Sequence, residues 1–141
     1  VKAVVARVTE ASVEVGGELV GAIGEPGLLV LLGVHHDDTT AHAAKMARKL
    51  YGLRVLADEQ SCESAGAPLL VVSQFTLYGD TRKGRRPSWT AAARPEHAEP
   101  LVNAVVAELR QLGGRVETGR FRAEMKVRSV NDGPFTVLVE V

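Results

Sequence analysis

Apolar and polar positions divide this chain into short strand-like stretches and two longer helical periods. Val1 to Val8 is rich in β-branched residues and reads as a strand. Ser12 to Val15 and Glu18 to Val20 flank Gly16-Gly17, a two-residue turn suited to antiparallel strands because glycine adopts positive φ without a Cβ clash. Gly27-Leu-Leu-Val-Leu-Leu-Gly-Val34 contains no polar side chain, and a glycine-bounded apolar run of this length predicts a strand buried on both faces. From Ala41 to Leu50 the period lengthens. Apolar residues at 43, 46, 47 and 50 share one face of a helix, and Asp37, Asp38 and Thr39 offer its N-cap. Leu53 to Ala57 reads as a further short strand, and Asp58 to Pro68 as a loop without periodicity.

Leu69 to Ser73 is a second apolar strand. A second helix lies within Pro95 to Leu112, with apolar positions 101, 102, 105, 106, 109 and 112 and a Gly113-Gly114 stop. Pro95 suits its first turn. Pro100 has no N–H to offer residue 96, which predicts a kink or a later start. Arg115 to Thr118, Glu124 to Val130 and Phe135 to Val141 read as closing strands, with Asn131-Asp-Gly-Pro134 as the turn between the last two. Several connections have hairpin length, so the order does not alternate like a doubly wound sheet. The expectation is one α+β domain over residues 1–141, a curved or barrel-like sheet with two helices packed on it.

Composition refines this in three ways. A chain of 141 residues has room for one domain that buries roughly two-thirds of its unfolded surface. Aromatic residues make up only 4%, so the core must be Val, Leu and Ala. Seventeen cationic and seventeen anionic side chains leave no net field for nucleic acid, and any such binding must come from a local cluster. The single cysteine, Cys62, excludes an internal disulfide and a multi-cysteine zinc site, and suits a reducing compartment. No apolar run approaches membrane-spanning length, and the first residues, interrupted by Lys2 and Arg7, do not read as a signal peptide. The expected location is the cytoplasm, with no membrane partner.

The local cluster exists. Strand 69–73 ends in Ser73, Gln74, Phe75 and Thr76, and a glycine-punctuated loop then carries Arg82, Lys83, Arg85 and Arg86 before Trp89. Such a loop is either a phosphate-binding surface or a solvated hairpin tip. His35-His36-Asp37-Asp38 contains metal-ligand types, but neighbours on an extended chain point to opposite faces, and Asp suits a helix cap. His42 and His97 lie on different predicted helices. No metal and no cofactor are expected. There is no Gly-x-Ser-x-Gly, His-Glu-x-x-His or phosphate-loop pattern, and Ser73 has no His/Asp partner in sequence. Phe121 and Met125 read as core positions. Spacing alone leads to an α+β domain with an anion-facing strand end.

The wording of the motifs goes further. Ser73-Gln-Phe-Thr-Leu77, Gly79-Asp-Thr-Arg-Lys-Gly-Arg-Arg-Pro-Ser-Trp89 and Thr118-Gly-Arg-Phe-Arg-Ala-Glu-Met-Lys-Val-Arg-Ser-Val-Asn-Asp-Gly-Pro-Phe-Thr136 closely resemble the D-aminoacyl-tRNA deacylase family. Ala6 to Val13 and Gly27 to Val34 resemble its first strands, so the likeness covers nearly the whole chain. One departure is Asp58 to Ala67, shorter than in the family and containing Cys62. The resemblance implies a metal-free, homodimeric hydrolase that releases D-amino acids from the terminal adenosine of tRNA. It implies that Ser73, Gln74, Phe75 and Thr76 line the pocket, with backbone N–H groups near Phe75 and Thr76 stabilising the oxyanion. By the same likeness a Gly133-cis-Pro134 pair reaches into the partner subunit's pocket, held in place by Arg7. Phe121 and Met125 become candidates for the adenosine pocket, and Arg82, Lys83, Arg85 and Arg86 for tRNA phosphates.

Overall fold

The computed structural model describes residues 1–141. Its longest shared element is β1 (Lys2–Val15), one continuous strand where the hydrophobic pattern suggested a strand and then a hairpin arm. One edge of β1 is covered along its length by β6 (Lys126–Glu140). The other edge pairs first with β3 (Gly27–Gly33) and then with β2 (Glu18–Ile23), all antiparallel. Beyond β3 the sheet turns parallel, through β4 (Pro68–Ser73) to β5 (Arg115–Thr118). The order is β2-β1-β3-β4-β5, with β6 on β1. The far strands curl until they almost meet. A Cβ built on Gly21 of β2 would lie 2.1 Å from the Thr118 carbonyl oxygen of β5, so only glycine permits that approach.

Parallel neighbours need crossovers, and the helices supply them. α1 (Thr40–Gly52) and the one-turn α2 (Cys62–Ala65) join β3 to β4, and α3 (Pro95–Gln111) precedes β5. The structure therefore has three helices rather than two. Leu53 to Ala57 is not a strand; a 3-10 turn at Ala57–Glu59 straddles its end and the start of the predicted loop 58–68, which also holds α2 and gives Pro68 to β4. α3 starts at Pro95 and continues through Pro100. That proline is the sixth residue of the helix, past the unpartnered first turn, so α3 runs on without the one bond that residue 100 would have donated to Glu96.

Strands 28–32 and 69–72 carry no polar side chains because both faces are buried. Leu28, Val30, Leu32, Leu69 and Val71 point into the main core against α1 and α3, where Met46, Leu50, Leu101, Val105 and Leu109 meet them. The alternate residues Leu29, Leu70 and Val72 join Val8, Val13 and Ile23 in a smaller core inside the curled sheet. β6 differs from both. Of its 15 residues only Val139 is buried, and Val130, Phe135 and Leu138 are exposed.

Asn131 to Pro134 corrects the sequence reading most directly. The chain does not reverse there. Asn131 pairs with Val8 and Thr136 with Ala6, so residues 132–135 bulge out opposite Arg7 alone. The Gly133–Pro134 bond in this bulge is cis.

Candidate active site

The carboxyl ends of the parallel strands β3, β4 and β5 open onto one cavity of about 590 Å³, a size ordinary for a small-molecule site. Leu32 and Val34 come from β3 and its end, and Val72, Ser73, Gln74 and Phe75 from the end of β4. Pro95, Ala98 and Val102 of α3 form a further wall. The segment after β5 closes it with Phe121, Ala123 and Met125. Crevices outside the carboxyl ends of parallel strands are where such sheets bind ligands. The lining is mostly apolar, with Ser73 and Gln74 as polar residues on the β4 side and Arg122 and Glu124 on the closing segment.

Phe121 and Met125 thus belong to neither a simple core nor a solvent-facing strand. Both are half-buried, packed on core residues behind and facing the cavity in front. Gly119 makes room for Met125, since a Cβ there would lie 2.7 Å from the Met125 sulfur.

At the Ser73 side the β4 ladder continues one residue past the strand, where Gln74 N–H donates to the Leu32 carbonyl at 2.8 Å. The chain then tightens into a 3-10 turn at Phe75–Tyr78. The first N–H groups of a helical turn have no acceptor within it. Leu77 N–H donates to the Gln74 carbonyl and Gly79 N–H to the Thr76 carbonyl, whereas the N–H groups of Phe75 and Thr76, the first two residues of the turn, have no acceptor within it. Two backbone donors that the turn itself leaves free therefore sit at the cavity rim. Thr76 is exposed and stands beside the cavity rather than in its wall. Its hydroxyl accepts a hydrogen bond from Gln74 Nε2. An amide cannot take up a proton, so this arrangement orients the Thr76 hydroxyl without activating it as a nucleophile.

Beneath the turn, Tyr78 packs edge-on against His35 at 5.3 Å, and the Lys2 ammonium lies 4.7 Å over its ring. Burial, with the Asp38 and Glu140 carboxylates nearby, pushes the Tyr78 phenol above its usual range. The His35–Asp38 stretch is not the surface cap that the sequence suggested. The His35 and His36 rings lie side by side, 4.1 Å apart, instead of on opposite faces. Asp38 is buried and accepts from His35 N–H at 2.7 Å and from the Val1 nitrogen at 2.6 Å. Thr39 caps α1, with its N–H donating to His42 Nδ1. His35, His36 and Asp37 bring ligand atoms within 4.8 Å of one another. The His35 Nδ1 of that group already accepts the Asp37 N–H at 3.0 Å.

A second cluster surrounds the bulge. Arg7 Nε donates to the Asp132 carbonyl at 2.8 Å and Nη2 to the Gly133 carbonyl at 3.2 Å. The guanidinium also lies 4.6 Å over the Phe135 ring and 3.4 Å from the Asp132 carboxylate. Asn131 and Thr136 close the neck. Asn131 Nδ2 donates to the Arg7 carbonyl at 2.8 Å, and the Thr136 hydroxyl donates to Asn131 Oδ1 at 3.2 Å. The family resemblance pointed to Arg7 as the brace of Gly133-Pro134, but the closing pair Asn131 and Thr136 was missed, because Asn-Asp-Gly-Pro is also a common turn composition. Neither Gly133 nor Pro134 lines the cavity of its own chain.

The third group is the cationic loop, closed by a bridge between Asp80 and Ser88. Its four cations are not equivalent. Arg82 holds the Asp80 carboxylate through several contacts, with Nη2 at 2.6 Å from Oδ2, and keeps that carboxyl down at about 2. Lys83, Arg85 and Arg86 are exposed and form no ion pair.

Comparison with known proteins gives concordant results. The family model for D-Tyr-tRNA(Tyr) deacylase matches residues 4–140. A D-aminoacyl-tRNA deacylase of Thermobifida fusca (strain YX) is 67% identical over 140 residues, 99% of each chain. Another from Streptomyces coelicolor is 65% identical over the same span. Among solved structures, the c-Myc DNA Unwinding Element Binding Protein superposes with a TM-score of 0.93 at 41% identity, covering 100% of this chain and 99% of that one. A probable eukaryotic D-amino acid tRNA deacylase superposes at 0.88 with 16% identity over 99% and 98% of the two chains, a likeness of fold.

Proposed function

The chain belongs to the D-Tyr-tRNA(Tyr) deacylase family, and on that premise we propose that it hydrolyses the ester bond of D-aminoacyl-tRNA, releasing a free D-amino acid and tRNA. The observation that carries this reading is the pair of N–H groups, Phe75 and Thr76, that begin a 3-10 turn at the rim of a largely apolar cavity. An aminoacyl ester is already activated, so its hydrolysis needs oxyanion stabilisation and a placed water more than a strong nucleophile. Preorganised backbone donors of this kind supply about 3–4 kcal/mol to such a transition state. The terminal adenosine occupies the cavity between Phe121, Met125 and Ser73. Thr76, oriented by Gln74, positions the attacking water.

Selectivity comes from a second copy. The exposed apolar residues of β6 are what a homodimer interface would cover, and the Arg7-braced bulge then presents Gly133 and Pro134 to the partner's pocket. Backbone carbonyls there bind the α-amino group, so an L side chain collides with backbone while a D side chain points to solvent. Exclusion of this kind recognises no particular D side chain. Glycine has nothing to exclude, and glycyl-tRNA, including glycine mischarged on tRNA(Ala), is hydrolysed as well. Lys83, Arg85 and Arg86, with Arg82 bracing the loop, contact phosphates of the acceptor end. The enzyme needs no metal or other cofactor, and it acts in the cytoplasm.

Incubation of the protein with D-Tyr-tRNA and with D-tyrosine ethyl ester tests the reading. The tRNA-linked ester should be hydrolysed, and the simple ester should persist. Equal hydrolysis of both would instead make the protein a general esterase. A second reading, nucleic-acid binding without turnover, is favoured by the name of the 41% identical structure. It predicts nucleic-acid affinity with no ester cleavage, and has no use for the Phe75 and Thr76 amides.

A further inference from the structure

Two large aromatic rings are left in water beside the cavity. Phe75 is 58% exposed and Trp89 45% exposed, and their ring centroids lie 5.4 Å apart at an interplanar angle of 59°. Phe75 lines the cavity and Trp89 does not, so the pair extends from the cavity wall outward to the end of the cationic loop. Gly79 shows that the indole position is built in. Its φ of −66° and ψ of 120° suit any residue, so backbone freedom is not the reason for a glycine there. A Cβ at Gly79 would instead lie 2.7 Å from Trp89 Cζ3. The glycine gives the indole a flat floor.

From these observations we infer that Phe75 and Trp89 form a stacking platform for the unpaired base next to the terminal adenosine of the substrate. The inference rests on the tRNA reading above and extends it by one nucleotide. Recognition of single strands combines a cationic track for phosphates with aromatic faces for bases. Here the track is Lys83, Arg85 and Arg86, and the cavity takes the last nucleoside. The platform lies between them, where the preceding base must pass. Stacking accepts any base, which suits an enzyme acting on every tRNA that ends in the same unpaired nucleotides. Charge complementarity selects this occupant over an apolar protein surface, because a cationic loop leads directly onto Trp89.

The chain contains one tryptophan, so its fluorescence reports on this site alone. Titration with the trinucleotide CCA should quench it saturably. A CCA analogue with an abasic middle position should bind more weakly and quench much less. Equal quenching by both would overturn the platform. Kinetics give the second arm. Trp89→Ala should raise KM for D-Tyr-tRNA on the order of 10-fold with kcat little changed, the usual scale for losing one base–aromatic stack, and Trp89→Phe should recover most of it. Gly79→Ala, which keeps the indole but displaces it, should also raise KM. On a substrate abasic at the penultimate position, wild type and Trp89→Ala should have the same KM; a penalty that persists there would overturn the assignment. So would a change of oligomeric state in Trp89→Ala, which would give the rings to a protein interface. A wild-type protein that shows base-dependent quenching but no ester hydrolysis would refute the deacylase reading while leaving the platform intact.

Discussion

Arg7 is the residue whose loss most sharply separates a role in function from a role in folding. Its side chain is 15% exposed and holds the 132–135 bulge by bonds to the Asp132 and Gly133 carbonyls. Hydrogen bonds from a charged donor contribute about 1.5–3 kcal/mol each. The bulge itself is exposed, however, and water recovers part of that in Arg7→Ala. A net cost of about 2 kcal/mol in holding the bulge corresponds to roughly 30-fold in rate if the bulge must be in place for turnover. Single-turnover hydrolysis of D-Tyr-tRNA, assayed well below the melting transition, should therefore slow about 30-fold in Arg7→Ala. The D/L ratio should narrow as well, because a loosened bulge no longer rejects the L side chain. Arg7→Lys should recover only a small part, since an ammonium lacks the planar fork that reaches two carbonyls at once. Wild-type rate and selectivity in a folded Arg7→Ala protein would refute the reasoning. A lowered melting temperature with unchanged kinetics would reduce Arg7 to a structural residue.

Replacing Lys83, Arg85 and Arg86 by Ala should weaken tRNA binding and flatten its salt dependence, by roughly 0.7–0.9 in log–log slope for each phosphate contact removed. Arg82→Ala should flatten it less, because Arg82 is committed to Asp80; an unchanged slope in the triple variant would return the loop to a solvated turn. Gly21→Ala should cost about 2–3 kcal/mol in denaturant unfolding, because its Cβ would meet the Thr118 carbonyl. Gly24→Ala, with nothing within 4 Å, is the control and should be near neutral. Cys62 is buried, and desolvation pushes its thiol up to about 12. It should resist a thiol reagent at pH 8 in the native protein and react only in denaturant, and native labelling at the denatured rate would contradict that burial.

Much of the fold was legible because its strongest signals are local. The Gly16-Gly17 hairpin, the two wholly apolar strands and the amphipathic faces of α1 and α3 each follow from period and turn chemistry. What could not be read depended on partners distant in sequence. β1 runs unbroken through residues 9–11 because β6 supports it there, and nothing within those residues says so. The α2 turn escaped because four residues carry no period. Asn131 to Pro134 has turn composition, and only the pairing of Asn131 with Val8 and Thr136 with Ala6 shows a bulge instead. The site divided along the same line. Family resemblance named Ser73 to Thr76, and the fold then placed Phe121 and Met125 across the same cavity. Motif wording did not reveal that Asp80 occupies Arg82, that Asn131 and Thr136 close the neck of the bulge, or that Gly79 underlies Trp89. Each of these is a contact that leaves no periodic signal in the sequence.

Chiral discrimination on one tRNA body tests the central claim most directly. D-Tyr-, L-Tyr- and glycyl-tRNA, each incubated with the same protein preparation, are followed for release of the amino acid. The D-tyrosyl ester should be hydrolysed rapidly and the glycyl ester measurably, while the L-tyrosyl ester survives. Equal rates for D and L would contradict it.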